Sequence, residues 1–261
     1  MKWLITGDTH GDFTRFRNLS YKQKNDEDLG IVILGDAGLN YLLDERDNYL
    51  KNKLTKNYKC KFYCVHGNHE EIPERVTNMV FEFDENVNGS VWYQPKWPNI
   101  RYFTMWGEYV IGGLRTAVLG GAYSVDKFWR LQNGARWFET EQMTPVERQY
   151  AELCLKNKHF DLVFSHTCPI SWEPSDLFLS AVDQSTVDKT TELWLDKVKD
   201  TFNYNIWLFG HYHTDRLERP HVEQFYYNIE SLDDIVDRWK KYDETKELDW
   251  WLQKSPNFYM K

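Results

Sequence analysis

Eight side chains in the 261-residue chain have the types and spacing to hold metal ions. They are Asp8 and His10 in "GDTHG", Asp36 in "GDAG", Asn68 and His69 in "GNHE", His166 in "SH", and His211 and His213 in "GHYH". Carboxylate and amide oxygens with imidazole nitrogens form a donor set that suits Mn, Fe or Zn, and not a thiolate site. Ions held in this way polarise a substrate oxygen and lower the pKa of bound water. On average residue usage, a stretch such as "GNHE" arises by chance in about one chain per thousand of this length. Any one of these motifs is explained as a turn or a helix cap. That each terminates an apolar run is what points to a shared site.

The elements that must position these groups are legible as those runs. "KWLITGD", "GIVILGD", "KFYCVHGN", "TAVLGGA", "DLVFSH" and "NIWLFGH" read as buried strands with polar C-terminal ends. In open α/β sheets such ends are where ligand residues gather. Helical patterns lie between them, for instance Leu42, Leu43, Leu50 and Leu54 after the second run. A helix start is clear at Thr144-Pro145-Val146-Glu147, a capping-box spacing with Pro at the first helical position. Ser185-Thr186-Val187-Asp188 and Ser231-Leu232-Asp233-Asp234 are looser start signals, and Asp12 is placed to cap the helix after "GDTHG". Between Val80 and Gly121 the runs are short, β-rich and divided by turn residues, which predicts antiparallel or mixed strands continuing the sheet system.

Pro169–Val182 reads as an irregular insert. No linker divides the chain, so one α/β domain is expected over 1–245, followed by an aromatic tail at 246–261 docked on it. The tail carries Trp250, Trp251, Phe258 and Tyr259.

Composition narrows the function classes. The net charge is −8 and no basic run exceeds a pair such as Lys240–Lys241, poor footing for non-specific nucleic-acid binding. No stretch approaches the apolar length of a membrane span, and the N-terminus lacks a signal-peptide pattern, so a cytoplasmic location is expected. Four cysteines are too sparse for a disulfide framework, and Cys60 and Cys64 read as core residues of a strand. His66, His159 and His221 are expected in packing or surface roles.

The motif series "GDTHG", "GDAG", "GNHE", "SH" and "GHYH" resembles that of the calcineurin-like metallophosphoesterase superfamily. The likeness runs from Asp8 to His213, about four-fifths of the chain. It implies two packed mixed β-sheets flanked by helices, a four-layer αββα sandwich, and two divalent or trivalent ions (Mn, Fe or Zn). By position, Asp8, His10 and His213 would hold one ion, Asn68, His166 and His211 the other, and Asp36 would bridge them. His69 matches the catalytic histidine, which ligates nothing.

The implied activity is hydrolysis of a phosphomonoester or phosphodiester, on a small molecule or nucleotide, by hydroxide held between the ions. Two ions about 3.5–4 Å apart clamp the attacking and leaving oxygens of an in-line displacement. Two carboxylates and neutral ligands leave such a cluster positive, so it attracts phosphate despite the acidic surface. His69 is then free to donate a hydrogen bond or a proton. A nucleic-acid phosphodiesterase and a non-catalytic binding module on the same fold are the competing readings; the first meets the acidic balance, and the second predicts eroded ligands, of which there are none.

One departure bears on the substrate. The protein Ser/Thr phosphatase branch carries Gly-Asp-x-x-Asp-Arg-Gly, whereas Leu39 and Asn40 stand here at the Asp and Arg positions. The bidentate phosphate contact of that Arg is lost, as is the carboxylate expected to orient His69. Asn40, Tyr123, Lys127 and Arg130 are the candidate substrate contacts, the last three from "GGAYSVDKFWRLQNG" after a strand end.

Overall fold

The computed structural model describes residues 1–178, 180 and 182–242. Among them, strands β1 (Lys2–Thr6), β2 (Leu29–Ile33), β3 (Lys61–Cys64), β4 (Val80–Asp84), β5 (Gly89–Tyr93) and β6 (Ile100–Tyr102) belong to one sheet. Strands β7 (Trp106–Ile111), β8 (Leu114–Leu119), β9 (His159–Ser165), β10 (Asn203–Phe209), β11 (Arg216–Arg219) and β12 (Val222–Gln224) form the second. β13 (Ile229–Ser231) returns to the first, whose order is β13-β1-β2-β3-β6-β5-β4; the second runs β11-β12-β10-β9-β8-β7.

Each sheet has a parallel centre and antiparallel margins. β1, β2, β3 and β6 are parallel, with β13 and the β5–β4 hairpin antiparallel at the two edges. β8, β9, β10 and β12 are parallel, with β7 and β11 antiparallel outside them. The mixed strands expected over 80–121 are thus found on both sheets.

Strand alternation makes the layers. Trp3 and Ile5, Val32, Tyr63, Leu162 and Phe164, and Ile206 and Leu208 meet in a core between the sheets. Their neighbours Leu4, Ile31, Ile33 and Phe62 face outward, where Leu54 of helix α2 (Glu45–Asn57) and Phe16 cover them. On the other side Val163, Trp207 and Phe209 pack against Ala151 and Leu155 of α4 (Pro145–Leu155) and Trp194, Leu195 and Val198 of α5 (Thr190–Val198). Each such side chain is worth about 1.5–3 kcal/mol when buried, so a one-residue slip that exchanged the faces would be heavily penalised. Two further helices are short, α1 (Tyr21–Lys24) and α3 (Lys127–Gln132). α6 (Leu232–Lys240) closes one end of the inter-sheet core with Leu232, Ile235 and Trp239. The result is the four-layer sandwich of two mixed sheets flanked by helices.

Several local expectations meet their outcome here. Thr144 and Glu147 form the reciprocal capping box of α4, with Pro145 opening the helix. α6 starts after Ser231, though the Ser231 side chain makes no capping bond. The start signal at Ser185–Asp188 is displaced: Gln184–Thr186 forms a 3-10 turn and α5 begins at Thr190. The reason is local competition, since Asp183 accepts from Ser185 N and Asp188 accepts from Thr190 N. Leu42 and Leu43 precede α2, and only Leu50 and Leu54 lie on it. Asp12 Oδ1 accepts from Thr14 N at 2.9 Å, but the element it leads into is a 3-10 turn, Thr14–Asn18. The insert after β9 is irregular, with short 3-10 turns at Ile170–Trp172 and Ser175–Leu177. Cys60 and Cys64 are buried and unpaired, as core residues. The aromatic tail lies outside the described residues. No helix among the described residues is long and apolar enough to cross a membrane.

Candidate metal centre

The C-terminal ends of β1, β2, β3, β9 and β10 deliver the expected ligands to one place. Asp8 lies just past β1, Asp36 past β2, Asn68 and His69 past β3, His166 directly after β9, and His211 and His213 past β10. The loops can meet so closely because they are locally glycine. A Cβ on Gly35 (φ +100°) would lie 1.9 Å from His166 Nδ1, and one on Gly67 would lie 2.0 Å from Asp36 Oδ1.

Two overlapping groups result. Asp8, His10 and His213 converge, with Asp8 Oδ2 3.3 Å from His213 Nε2 and 3.8 Å from His10 Nε2. Asp8, Asp36 and His166 form the second, with Asp36 Oδ2 3.6 Å from His166 Nε2. The same Asp36 oxygen lies 4.0 Å from His10 Nδ1, and Asp8 is common to both groups. Asn68 Oδ1 lies 2.8 Å from His166 Nε2, and the His211 ring stands 4.9 Å from that of His166.

These residues fit a metal. Asp8 Oδ2 is buried without a hydrogen-bond partner, and the His10 and His213 Nε2 atoms face each other at 2.9 Å beside it. Two imidazole nitrogens and an orphaned carboxylate oxygen at this range are donors aimed at a common cation.

The two carboxylates are held ionised, while the Asp8 carboxylate raises His213 above the ordinary imidazole value. Burial works against the Asp36 charge, but the His166, His69 and His10 imidazoles hold its carboxyl well below the usual carboxylate range. Asp8 is likewise buried and is drawn down by His166 and His213, against Asp36. Burial pushes His211 down to about 3, leaving the neutral ring that binds metal.

Supporting contacts fix the donors. His166 Nδ1 is 2.9 Å from Leu34 O, which leaves Nε2 toward the site. Asn68 Nδ2 donates to Ser124 Oγ at 3.0 Å, turning Oδ1 to His166; Ser124 N in turn donates to Glu141 Oε2. His211 N donates to Asp8 Oδ1 at 2.9 Å and His69 N to Asp36 Oδ1 at 2.8 Å. Buried Arg15 braces the floor, donating to Asp8 O at 2.6 Å and to Tyr226 O, while Tyr226 stacks on His213. No local signal in the sequence marks Arg15 or Glu141, because their partners are distant along the chain.

His69 stands beside the cluster, with Nε2 3.9 Å from Asp36 Oδ2. Burial sets it below the ordinary imidazole value, with Asp36 opposing and Arg130 adding to the fall. Leu39 is buried in the core, so no carboxylate from that position reaches it.

The candidate substrate contacts divide. Tyr123 lines the cleft over the centre together with Asp36, Asn68, His69, His211 and His213. Asn40 does not reach it: its side chain is buried and accepts from Lys51 Nζ at 2.7 Å. Lys127 Nζ packs 4.0 Å from the Trp137 ring centre. Arg130 is spent on Asp126 at 2.7 Å and Tyr41 at 2.8 Å. His66 is buried against Thr140 O, His159 is exposed, and His221 packs on Trp239.

The family model for calcineurin-like phosphoesterases matches residues 1–215. Among solved structures, the chain is similar to phosphopantetheinyl hydrolase (PptH) from Mycobacterium tuberculosis, at 10% identity and TM-score 0.40 over 92% of this chain and 93% of that one. It is similar also to a 5'-nucleotidase from Candida albicans SC5314, at 13% identity and TM-score 0.38 over 94% of this chain and 55% of that one. No curated protein matches. With the family model spanning every strand end that carries a donor, the chain belongs to the calcineurin-like phosphoesterase family, whose members are metal-dependent phosphoester hydrolases.

Proposed function

We propose that the protein is a dinuclear metal-dependent hydrolase of a phosphomonoester or phosphodiester, acting on a phosphorylated small molecule or nucleotide. The observation that carries this reading is the pair of donor groups that share the Asp8 carboxylate. Asp36 Oδ2 stands beside them, 3.6 Å from His166 Nε2 and 4.0 Å from His10 Nδ1, in a cleft of about 540 Å³.

Asp8, His10 and His213 would hold one ion, and Asn68, His166 and His211 the other, with Asp36 shared. When bound, the pair supplies positive charge at the phosphate and an activated water. The chain's own residues do the rest. The Asp8 and Asp36 carboxylates, both held below their ordinary value, carry the charge that attracts the cations. His69 donates from its backbone to Asp36, and its ring lines the cleft. From there the ring donates to a phosphate oxygen or to the departing oxygen.

The test is turnover of a model monoester and a model diester by Mn-loaded protein, with metal content measured in parallel. Asp36→Asn is expected to lose both bound metal and turnover. His69→Ala is expected to keep its metal and to lose about 10²–10⁴-fold in rate. Wild-type protein that binds metal but turns over neither ester sinks the reading; retained turnover in Asp36→Asn shows that the site is elsewhere.

A further inference from the structure

The cleft over the centre has a wall that the metal chemistry does not use. Leu177 and Phe178 of the insert, Val187 beyond it, and Tyr123 and Val125 after β8 all line it, with Tyr212 between the two histidines of "GHYH". The wall is continuous with the metal centre. The Phe178 and Tyr212 rings stack at 6.3 Å and 24°, and the Tyr212 ring stands 4.9 Å from that of His211.

The wall is also built, and not merely left apolar. Lys189 Nζ donates to Glu173 at 2.8 Å and lies 4.7 Å from the Phe178 ring centre, while Asp176 pairs with Arg216 at 2.8 Å. Tyr212 Oη is 3.1 Å from Thr167 Oγ1, whose own hydroxyl donates to buried Glu192.

Charge points the same way. Among the described residues lining the cleft, Lys189 is the one Lys or Arg, and it is paired; Asp126, Asp188 and Glu192 also line it. Nearby Arg130 pairs with Asp126, and Lys127 Nζ lies over the Trp137 ring. A chain of phosphates extending past the centre would meet a lining of rings and carboxylates whose one Lys or Arg is paired.

We infer that the cleft selects a single-phosphate ester whose alcohol bears an apolar ring, seated against Phe178 and its neighbours while the phosphate lies over the metal ligands. This rests on the phosphoesterase reading and names its substrate class. An apolar ring gains from burial on such a wall, whereas a polyphosphate finds no unpaired Lys or Arg in the described lining.

The experiment compares Mn-loaded protein on 2-(1-naphthyl)ethyl phosphate and ethyl phosphate, whose leaving groups are chemically alike. AMP and ADP serve as competitors of the polar and polyphosphate kinds. A non-hydrolysable phosphonate analogue of the naphthyl ester is followed by equilibrium dialysis. The naphthyl ester is expected to exceed ethyl phosphate in kcat/KM by about 100-fold. Phe178→Ala and Leu177→Ser should each cut that ratio and weaken phosphonate binding, Phe178→Ala by about tenfold. Equal kcat/KM for the two alkyl esters, or a higher kcat/KM on AMP or ADP, overturns the inference. Absence of turnover with Phe178-dependent phosphonate binding sinks the hydrolase reading and keeps the wall's selectivity. Absence of both turnover and binding sinks the two together.

Discussion

Four of the residues proposed as ligands sit in left-handed backbone: His10 (φ 46°), Asp36 (φ 46°), His211 (φ 70°) and His213 (φ 52°). For residues with a Cβ this region is sparsely populated and strained, and it persists where surrounding structure enforces it. Nothing in the motifs spells out that strain, because His and Asp are read there as donors and not as turn residues. It yields a prediction that separates backbone from ligand. His213→Gly and His213→Ala both delete the same imidazole, but only glycine relaxes the backbone. Metal-free His213→Gly should therefore unfold in urea with a stability about 1 kcal/mol above that of His213→Ala. An Ala variant as stable as the Gly variant would show that the φ of 52° costs nothing. At this scale the residues that converge were legible because metal chemistry restricts residue type. The orientation of each ring was not, because it depends on partners such as Leu34 O for His166.

Strands were the most legible elements, and for a physical reason: parallel strands buried on both faces are continuous apolar runs, and the polar group that ends each run has to be satisfied or functional. The capping box of α4 was legible because both of its bonds lie within four residues. The start of α5 was not, because Asp183 and Asp188 offer competing turns. Loops that interlock across the two sheets carry no local signal at all. Ser124, after β8, accepts from Asn68, after β3, across 56 positions of sequence. If that bond turns the Asn68 oxygen toward the site, Ser124→Ala leaves the amide free to rotate. Metal affinity should then fall about tenfold, as measured by competition with a chromophoric chelator, with the fold intact. Unchanged affinity in Ser124→Ala would remove Ser124 from the support of the centre.

Over the whole molecule, the sandwich and the strand-end edge that holds the candidate site follow from which strand faces are apolar, and that much the motif series anticipates. How the two sheets are tied beyond the core does not follow, since the ties join distant segments. Glu223 on β12 is one such tie. It is buried in the second sheet and accepts from Trp239 of α6, a helix whose Trp239 sits in the inter-sheet core; Arg238 Nε lies 3.5 Å away. Burial pushes the Glu223 carboxyl up to about 7, with Arg238 opposing and Glu230 adding. The unfolded chain should titrate near the ordinary 4.5. A folded value above the unfolded one means that the fold prefers the protonated acid. Its stability contribution is therefore present at low pH and is lost as pH rises from about 4.5 through about 7. Between pH 5.5 and 8.5 this one group should remove about 2 kcal/mol. Glu223→Gln keeps the shape and an acceptor for Trp239 but cannot ionise. The stability of wild type relative to Glu223→Gln, from urea unfolding of metal-free protein, should accordingly fall by that amount across the interval. Parallel pH profiles for the two proteins would show that Glu223 keeps its charge in the fold, and that Arg238 outweighs its burial.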